Sequence, residues 1–218
     1  MTETPKNGLM LDAVHIALSG RRLIEISAHV APGAVLTVMG PSGSGKSSLI
    51  AYIGGFLDPA FKARGAVRVD GTDLTRLAPE DRHAGILFQD PLLFPHMSVA
   101  ANVAFALPPA VRGRGRRRAI AEEALRDVEL EGFGGRDPAT LSGGQKARVA
   151  LTRVLVSRPR LLLLDEPFSK LDMALRDQAR DLVFTRARAA KLPVILVTHD
   201  EADAKAAGGA VFEMNGAP

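Results

Sequence analysis

The residues Gly40-Pro41-Ser42-Gly43-Ser44-Gly45-Lys46-Ser47 fit the phosphate-loop pattern GxxxxGK followed by Ser or Thr. A glycine loop between a strand and a helix turns successive backbone N–H groups toward one phosphate, at the positive end of the helix dipole. Gly43 and Gly45 permit that close approach, Lys46 can reach the β- and γ-phosphates, and the Ser47 hydroxyl can coordinate Mg²⁺. Further along, Leu161-Leu162-Leu163-Leu164 runs into Asp165-Glu166. A carboxylate at the mouth of a buried strand is costly without a cation, so Asp165 is expected to meet Mg²⁺ directly or through water. Glu166 can then polarise an attacking water as general base. Gln89 follows the apolar Ile86-Leu87-Phe88 and could reach the metal and that water, while His199 follows Val194-Ile195-Leu196-Val197-Thr198 and is expected to touch a γ-phosphate. Leu141-Ser142-Gly143-Gly144-Gln145 sets a hydroxyl and bare backbone donors at a helix start. That is a second anion site in a chain that already has one.

Segments of strand and helix character alternate around these residues. Val35 to Met39 is a short β-branched run feeding the glycine loop, and Ser47 to Ile53 reads as a helix stopped by Gly54-Gly55. Leu11 to Leu18 and Ala66 to Val69, the latter followed by the turn signal Asp70-Gly71, predict a small antiparallel sheet. Val99 to Val128 is mostly helical, and Gly144 to Val156 carries apolar residues at helical spacing. Leu161 to Leu164 and Val194 to Val197 are uniformly apolar, as strands covered on both faces must be, with the helical run Ala174 to Ala190 between them. The order predicts an α/β fold: a doubly wound, mainly parallel core sheet with helices on both faces and ligands at the carboxyl ends of its strands. A single domain over 1–218 is expected, with 1–88 and 141–218 forming the core and 89–140 an inserted helical subdomain.

Composition narrows the function. The chain has 218 residues, 46% of them hydrophobic and 24% charged, the balance of an ordinary globular protein. No run approaches the roughly 18 apolar residues of a membrane helix. Met1 to Met10 lacks the basic start and apolar stretch of a signal peptide. Work on a membrane would therefore need a partner. The absence of cysteine excludes thiol catalysis, disulfides and thiolate metal sites, and fits a cytosolic location. The net charge of +4 gathers at Arg112, Arg114, Arg116, Arg117 and Arg118, which read as a solvated loop leading into a helix that starts near Arg118. No aromatic residues interleave with these arginines, so nucleic acid is not expected as a partner.

In this order and spacing the motifs resemble the nucleotide-binding subunit of ATP-binding-cassette (ABC) transporters, a P-loop NTPase family, and the resemblance covers nearly the whole chain. It implies that Gly40 to Ser48, including Ser48 itself, hold ATP, that Gln89 and Asp165 serve Mg²⁺ with Ser47, and that Glu166 and His199 are catalytic together with Lys46 and Gln89. It also gives the second anion site a purpose. Two copies packed head to tail bury two ATP molecules, each between one phosphate loop and the other copy's Ser142, Gly143, Gly144 and Gln145, with Asp172 nearby. Gly85 to Val99 looks like the same segment of bacterial importers for anions, iron, polyamines or thiamine, and Leu171 to Asp177 resembles a short thiamine-type subgroup. The implied partners are a second copy, transmembrane permease subunits and a periplasmic or extracellular substrate-binding protein. The implied place is the cytoplasmic face of the plasma membrane.

Three features depart from the family pattern. Leu18 stands where an aromatic usually stacks on adenine, Lys170 replaces a small residue ahead of Asp172, and the residues after His199 are too few for an added C-terminal β domain. The first predicts weak discrimination between bases. A soluble ABC ATPase acting on DNA or ribosomes is the alternative class. It fits less well, because such proteins separate loop and signature by long coiled coils or carry two cassettes. A binding module without turnover is disfavoured by Glu166 and His199.

Overall fold

The computed structural model describes residues 7–41 and 43–214, so Ser42 of the glycine loop lies outside the described residues. In chain order the strands are β1 (Leu9–Leu18), β2 (Arg21–Val30), β3 (Val35–Met39), β4 (Phe61–Val69), β5 (Thr72–Asp73), β6 (Ala84–Leu87), β7 (Leu161–Asp165), β8 (Val194–Thr198) and β9 (Ala210–Glu213). The helices are α1 (Lys46–Gly54), α2 (Val99–Phe105), α3 (Arg114–Arg126), α4 (Gly143–Val156), α5 (Met173–Ala189) and α6 (Glu201–Ala207). The chain divides into two compact units, one comprising Met1–Ile86, Arg160–Glu166 and Phe184–Pro218, the other Leu87–Pro159 and Pro167–Val183.

The first unit holds two sheets. The five-stranded sheet runs β6-β7-β8-β3-β9, with parallel pairing of β7 to β8, β8 to β3 and β3 to β9. Every residue of β8 is buried, as are four of the five in β3 and in β7, which is why these strands read as unbroken apolar runs. The antiparallel sheet runs β2-β1-β4-β5. One core joins the inward residues of both sheets, among them Leu11, Ile16, Val38, Leu163 and Val197, to Leu49, Ile50 and Ile53 of α1. Asp70 and Gly71 both take the left-handed conformation that turns β4 back into β5, as the Asp-Gly signal requires.

Helix α1 follows the glycine loop and ends at Gly54. Gly55 provides the left-handed exit at φ 87°, and its N–H donates to the Ala51 and Tyr52 carbonyls. The guanidinium of Arg82, only 6% exposed, supplies the remaining donors. Its Nη1 donates to the carbonyls of Tyr52 (2.8 Å) and Ile53 (2.9 Å), its Nε to Leu77 (3.0 Å) and its Nη2 to Thr75 (2.9 Å). Burial holds the Arg82 pKa below its usual range, against the opposing pull of Tyr52 and Asp73. A Cβ on residue 55 would stand 2.5 Å from Arg82 Nε, so a glycine is needed there for space as well as for φ. Arg82→Ala is expected to cost about 3 kcal/mol or more, since several buried carbonyls lose charged donors. Arg82→Lys should recover only part of it, because an ammonium cannot fork toward four oxygens. Urea unfolding midpoints test this, and an unchanged midpoint for Arg82→Ala would refute the capping role.

The second unit is built on helices. Val99 and Val103 of α2, Ala121 and Leu125 of α3, and Val149 of α4 share one core with Leu141. This is why the unit extends past the 89–140 segment expected from sequence and takes in α4: one face of that helix belongs to the same core. Asn102, fully buried, fixes the preceding loop by donating from Nδ2 to the carbonyls of Phe94, Met97 and Ser98, while its Oδ1 accepts from the Phe94 N–H. The arginine cluster differs from expectation. Helix α3 begins at Arg114, and Arg117 is not a solvated residue. Its guanidinium donates to the carbonyls of Ala104, Leu107, Pro108 and Val111, closing the loop between α2 and α3. Among the described residues no helix is long and apolar enough to cross a membrane.

Candidate active site

Three neighbouring strands of the parallel sheet deliver the chemistry of the first unit to one edge. In their register Met39 of β3 stands beside Thr198 of β8, and Val197 of β8 beside Asp165 of β7. The residues that follow those positions are the glycine loop from Gly40, then His199, and Glu166. Groups far apart in sequence therefore emerge together at the carboxyl ends of adjacent strands, where α/β sheets bind ligands.

The glycine loop is tightly held. Gly43 lies at φ 78° and Gly45 at φ 96°, and the Ser48 hydroxyl donates to the Gly45 carbonyl at 2.5 Å. The Lys46 side chain is 4% exposed, and its ammonium donates to the carbonyls of Gly40 (2.8 Å) and Pro41 (2.7 Å). The cation thus sits inside the curl of the loop. A Cβ on Gly40 would stand 3.0 Å from Met214 Cβ, and one on Gly45 the same distance from Leu23 Cβ, so both glycines are also close-packing positions.

The Ser47 hydroxyl donates to Asp165 Oδ1 at 3.1 Å. Burial pushes the Asp165 carboxyl up from its ordinary value, the hydrogen bond from Ser47 draws it down, and the charges of Glu166 and Lys46 act in opposite directions. A carboxylate and a hydroxyl brought together at the phosphate loop are the hard oxygen donors that Mg²⁺ takes. Among the described residues no group of three or more His, Cys, Asp or Glu is placed to hold a metal ion.

Glu166 takes a left-handed backbone, φ 47°, immediately before Pro167. Such a conformation costs a non-glycine residue about 1–2 kcal/mol. Its N–H is anchored to the Val197 carbonyl at 2.9 Å. The turn brings Glu166 Oε1 to 3.1 Å from Nδ1 of His199. In the tautomer that carries the Nδ1 proton, His199 donates to Glu166 and fixes the carboxylate. A doubly protonated ring could in addition donate from Nε2 to an anion.

A cleft beside the loop is lined by Lys46, Ser47 and Glu166 at its polar part and by Leu18, Leu23 and Phe61 at its apolar part. Leu18 belongs to this apolar part. Phe61 was not foreseen, because it precedes the recognisable alternation of Ala66 to Val69, and only its register opposite Leu18 brings it to the cleft.

The second unit carries the other expected residues. Gln89 is exposed, two residues beyond β6. The neighbouring Asp90 accepts a 2.6 Å ion pair from Lys170, the residue that departs from the family pattern. Ser142 is the N-cap of α4: its hydroxyl accepts from the Gln145 N–H (3.3 Å), while the Ser142 N–H donates to Gln145 Oε1 (3.0 Å). The fold therefore accounts for Ser142 and Gln145 as a capping box. It accounts for Gly144 too, since a Cβ there would meet Leu175 at 3.0 Å. Gly143 is different: it is exposed, and an added Cβ would make only an ordinary 3.4 Å contact with Leu171. The Asp172 carboxylate accepts from the Leu175 N–H at 3.0 Å and so caps α5. Leu93 packs on the unit's own core and Phe94 meets Phe105 edge-on, while Leu92 is 57% exposed. Phe105 is 61% exposed.

The family model for ABC transporters matches residues 23–169. The uncharacterized ABC transporter ATP-binding protein YnjD of Escherichia coli (strain K12) is 47% identical over 186 residues, 85% of each chain. The thiamine import ATP-binding protein ThiQ of Chelativorans sp. (strain BNC1) is 41% identical over 203 residues, 92% of this chain and 81% of that one. The spermidine/putrescine import ATP-binding protein PotA of Pseudomonas aeruginosa is 43% identical, but the chain spans only 52% of its length. Among solved structures, the ATP-binding cassette MJ0796 in a dimeric post-hydrolysis state bound to ADP and Pi superposes with a TM-score of 0.78 at 29% identity, covering 94% of both chains.

Proposed function

The chain belongs to the ABC transporter family, and we propose that it is the energy-coupling ATPase of a bacterial importer, acting through a separate membrane permease. It binds ATP and hydrolyses it. The observation that carries the hydrolytic reading is the pairing of Glu166 with His199 at the strand edge that also holds the glycine loop and the Ser47–Asp165 pair.

In this reading Lys46 leaves the Gly40 and Pro41 carbonyls for the phosphates. Ser47 and Asp165 would hold Mg²⁺, which would neutralise charge on the phosphates during transfer. Glu166 accepts a proton from the attacking water, and His199 fixes its carboxylate. Two copies pack head to tail, so that the exposed start of α4 at Ser142 and Gly143 serves the nucleotide of the other copy, with Asp172 close by. The dimeric solved relative supports pairing of two copies, and the polyamine and thiamine relatives support import as the direction. The protein would lie on the cytoplasmic face of the membrane, with selectivity resting in the permease and a substrate-binding protein.

Permease contact is proposed at Leu92 and Phe105, large apolar side chains that the fold leaves exposed. A photo-crosslinking residue at either position, in cells, is expected to capture an integral membrane protein. Capture of ribosomal proteins or DNA alone would overturn the importer reading.

A further inference from the structure

The cleft beside the glycine loop has two chemical ends. Gly45, Lys46 and Ser47 form a phosphate seat, whereas Leu18, Leu23 and Phe61 form an apolar wall. A nucleoside triphosphate whose phosphates occupy the first must bring its base toward the second. Phe61 is the single aromatic ring among the residues lining this cleft. Its backbone is pinned from both sides: it opens β4 directly opposite Leu18 of β1, and the turn before it is tied by Asp58. Asp58 Oδ1 accepts from the Ala60 N–H (2.8 Å) and its carbonyl from the Phe61 N–H (3.0 Å). The ring is partly buried against the core of the first unit, so it is supported on one side while still reaching the cleft. Leu18 offers the base apolar contact but no π-face. His15, on the same strand opposite Arg64 and Glu25, is not among the lining residues.

We propose that Phe61 is the stacking platform for the nucleobase in this cleft, with Leu18 closing the apolar wall beside it. The assignment rests on the nucleotide reading of the same site. Every base has a π-face, so a lone ring favours nucleotides over bare polyphosphate without choosing among purines.

Phe61→Leu keeps apolar volume against the core and removes only the aromatic face. Calorimetric titration of this variant with Mg-ATP and Mg-GTP is expected to show affinity lost by about five- to tenfold for both, in line with the usual worth of stacking. Titration with Mg-tripolyphosphate should change less than about twofold, because the phosphate seat is untouched. Phe61→Trp supplies a second readout, since the chain contains no tryptophan: its fluorescence should be altered by ATP and GTP and not by tripolyphosphate. Unaltered ATP affinity in Phe61→Leu would overturn the proposal. So would an equal loss for tripolyphosphate, which would make Phe61 a packing residue only. Failure of the unaltered protein to take up Mg-ATP at all would instead sink the nucleotide site, and the role of Phe61 with it.

Discussion

Glu166→Gln is expected to lower ATP hydrolysis by about 10²–10⁴-fold, the usual contribution of general base catalysis, while Mg-ATP still binds. The amide preserves the shape of the side chain. It also preserves the backbone anchor to the Val197 carbonyl and can still accept a hydrogen bond from His199 Nδ1 at the same position. Only the capacity to take a proton from water is lost. The phosphate contacts of Lys46 and the loop do not involve Glu166, so binding survives while turnover stops. ATP should then accumulate a dimer that size exclusion resolves, and phosphate release should fall to near background. A fully active Glu166→Gln protein would remove Glu166 as the base.

Ser142→Arg should be nearly as severe, for a reason located in a second copy of the chain. Ser142 and Gly143 are exposed at the start of α4, and a bulky cation there would obstruct the closed dimer without touching the subunit's own phosphate loop. The substitution also removes the capping box, worth about 1 kcal/mol, so Ser142→Ala serves as the control for that local loss. Hydrolysis by Ser142→Arg is expected to drop to background while monomeric ATP binding persists. Lys46→Ala should be inactive for the opposite reason, having lost its phosphate contact. Mixing the two inactive chains restores one composite site with both halves intact, and activity should reappear. No recovery, with heterodimers demonstrated by pull-down, would exclude head-to-tail packing.

The strands that carry the site were legible because burial on both faces leaves no choice of residue: Val35 to Met39 and Val194 to Thr198 match β3 and β8 end to end. Strand β2 went unread. It starts with Arg21-Arg22 and enters through the left-handed Ser19-Gly20 turn, and only Ile24, Ile26 and Val30 mark its inward face. Strand β9 is largely exposed and exists because the free edge of β3 accepts it, a non-local cause with little local signature. The chemical groups could be named in advance, but their relations could not. The left-handed turn at Glu166 is disfavoured by its own side chain and by the following proline, so nothing nearby in sequence announces it. The capping box at Ser142 and Gln145 was visible in principle as Ser-x-x-Gln, yet the same letters also made a nucleotide signature. Only the geometry separates the groups that the helix itself uses from Gly143, which it leaves exposed.

The position of β3 also sets an order of events during synthesis. This strand, which leads into the glycine loop, lies between β8 and β9, and the Met214 N–H closes the row on the Met39 carbonyl at 2.7 Å. Both neighbours are translated after the whole of the second unit. Strands β1, β2 and β4, close in sequence, can pair while the rest of the chain is still being made, but the nucleotide seat is not framed until Met214 has emerged from the ribosome. A nascent chain must reach that point before ATP can add its binding energy to the folded state.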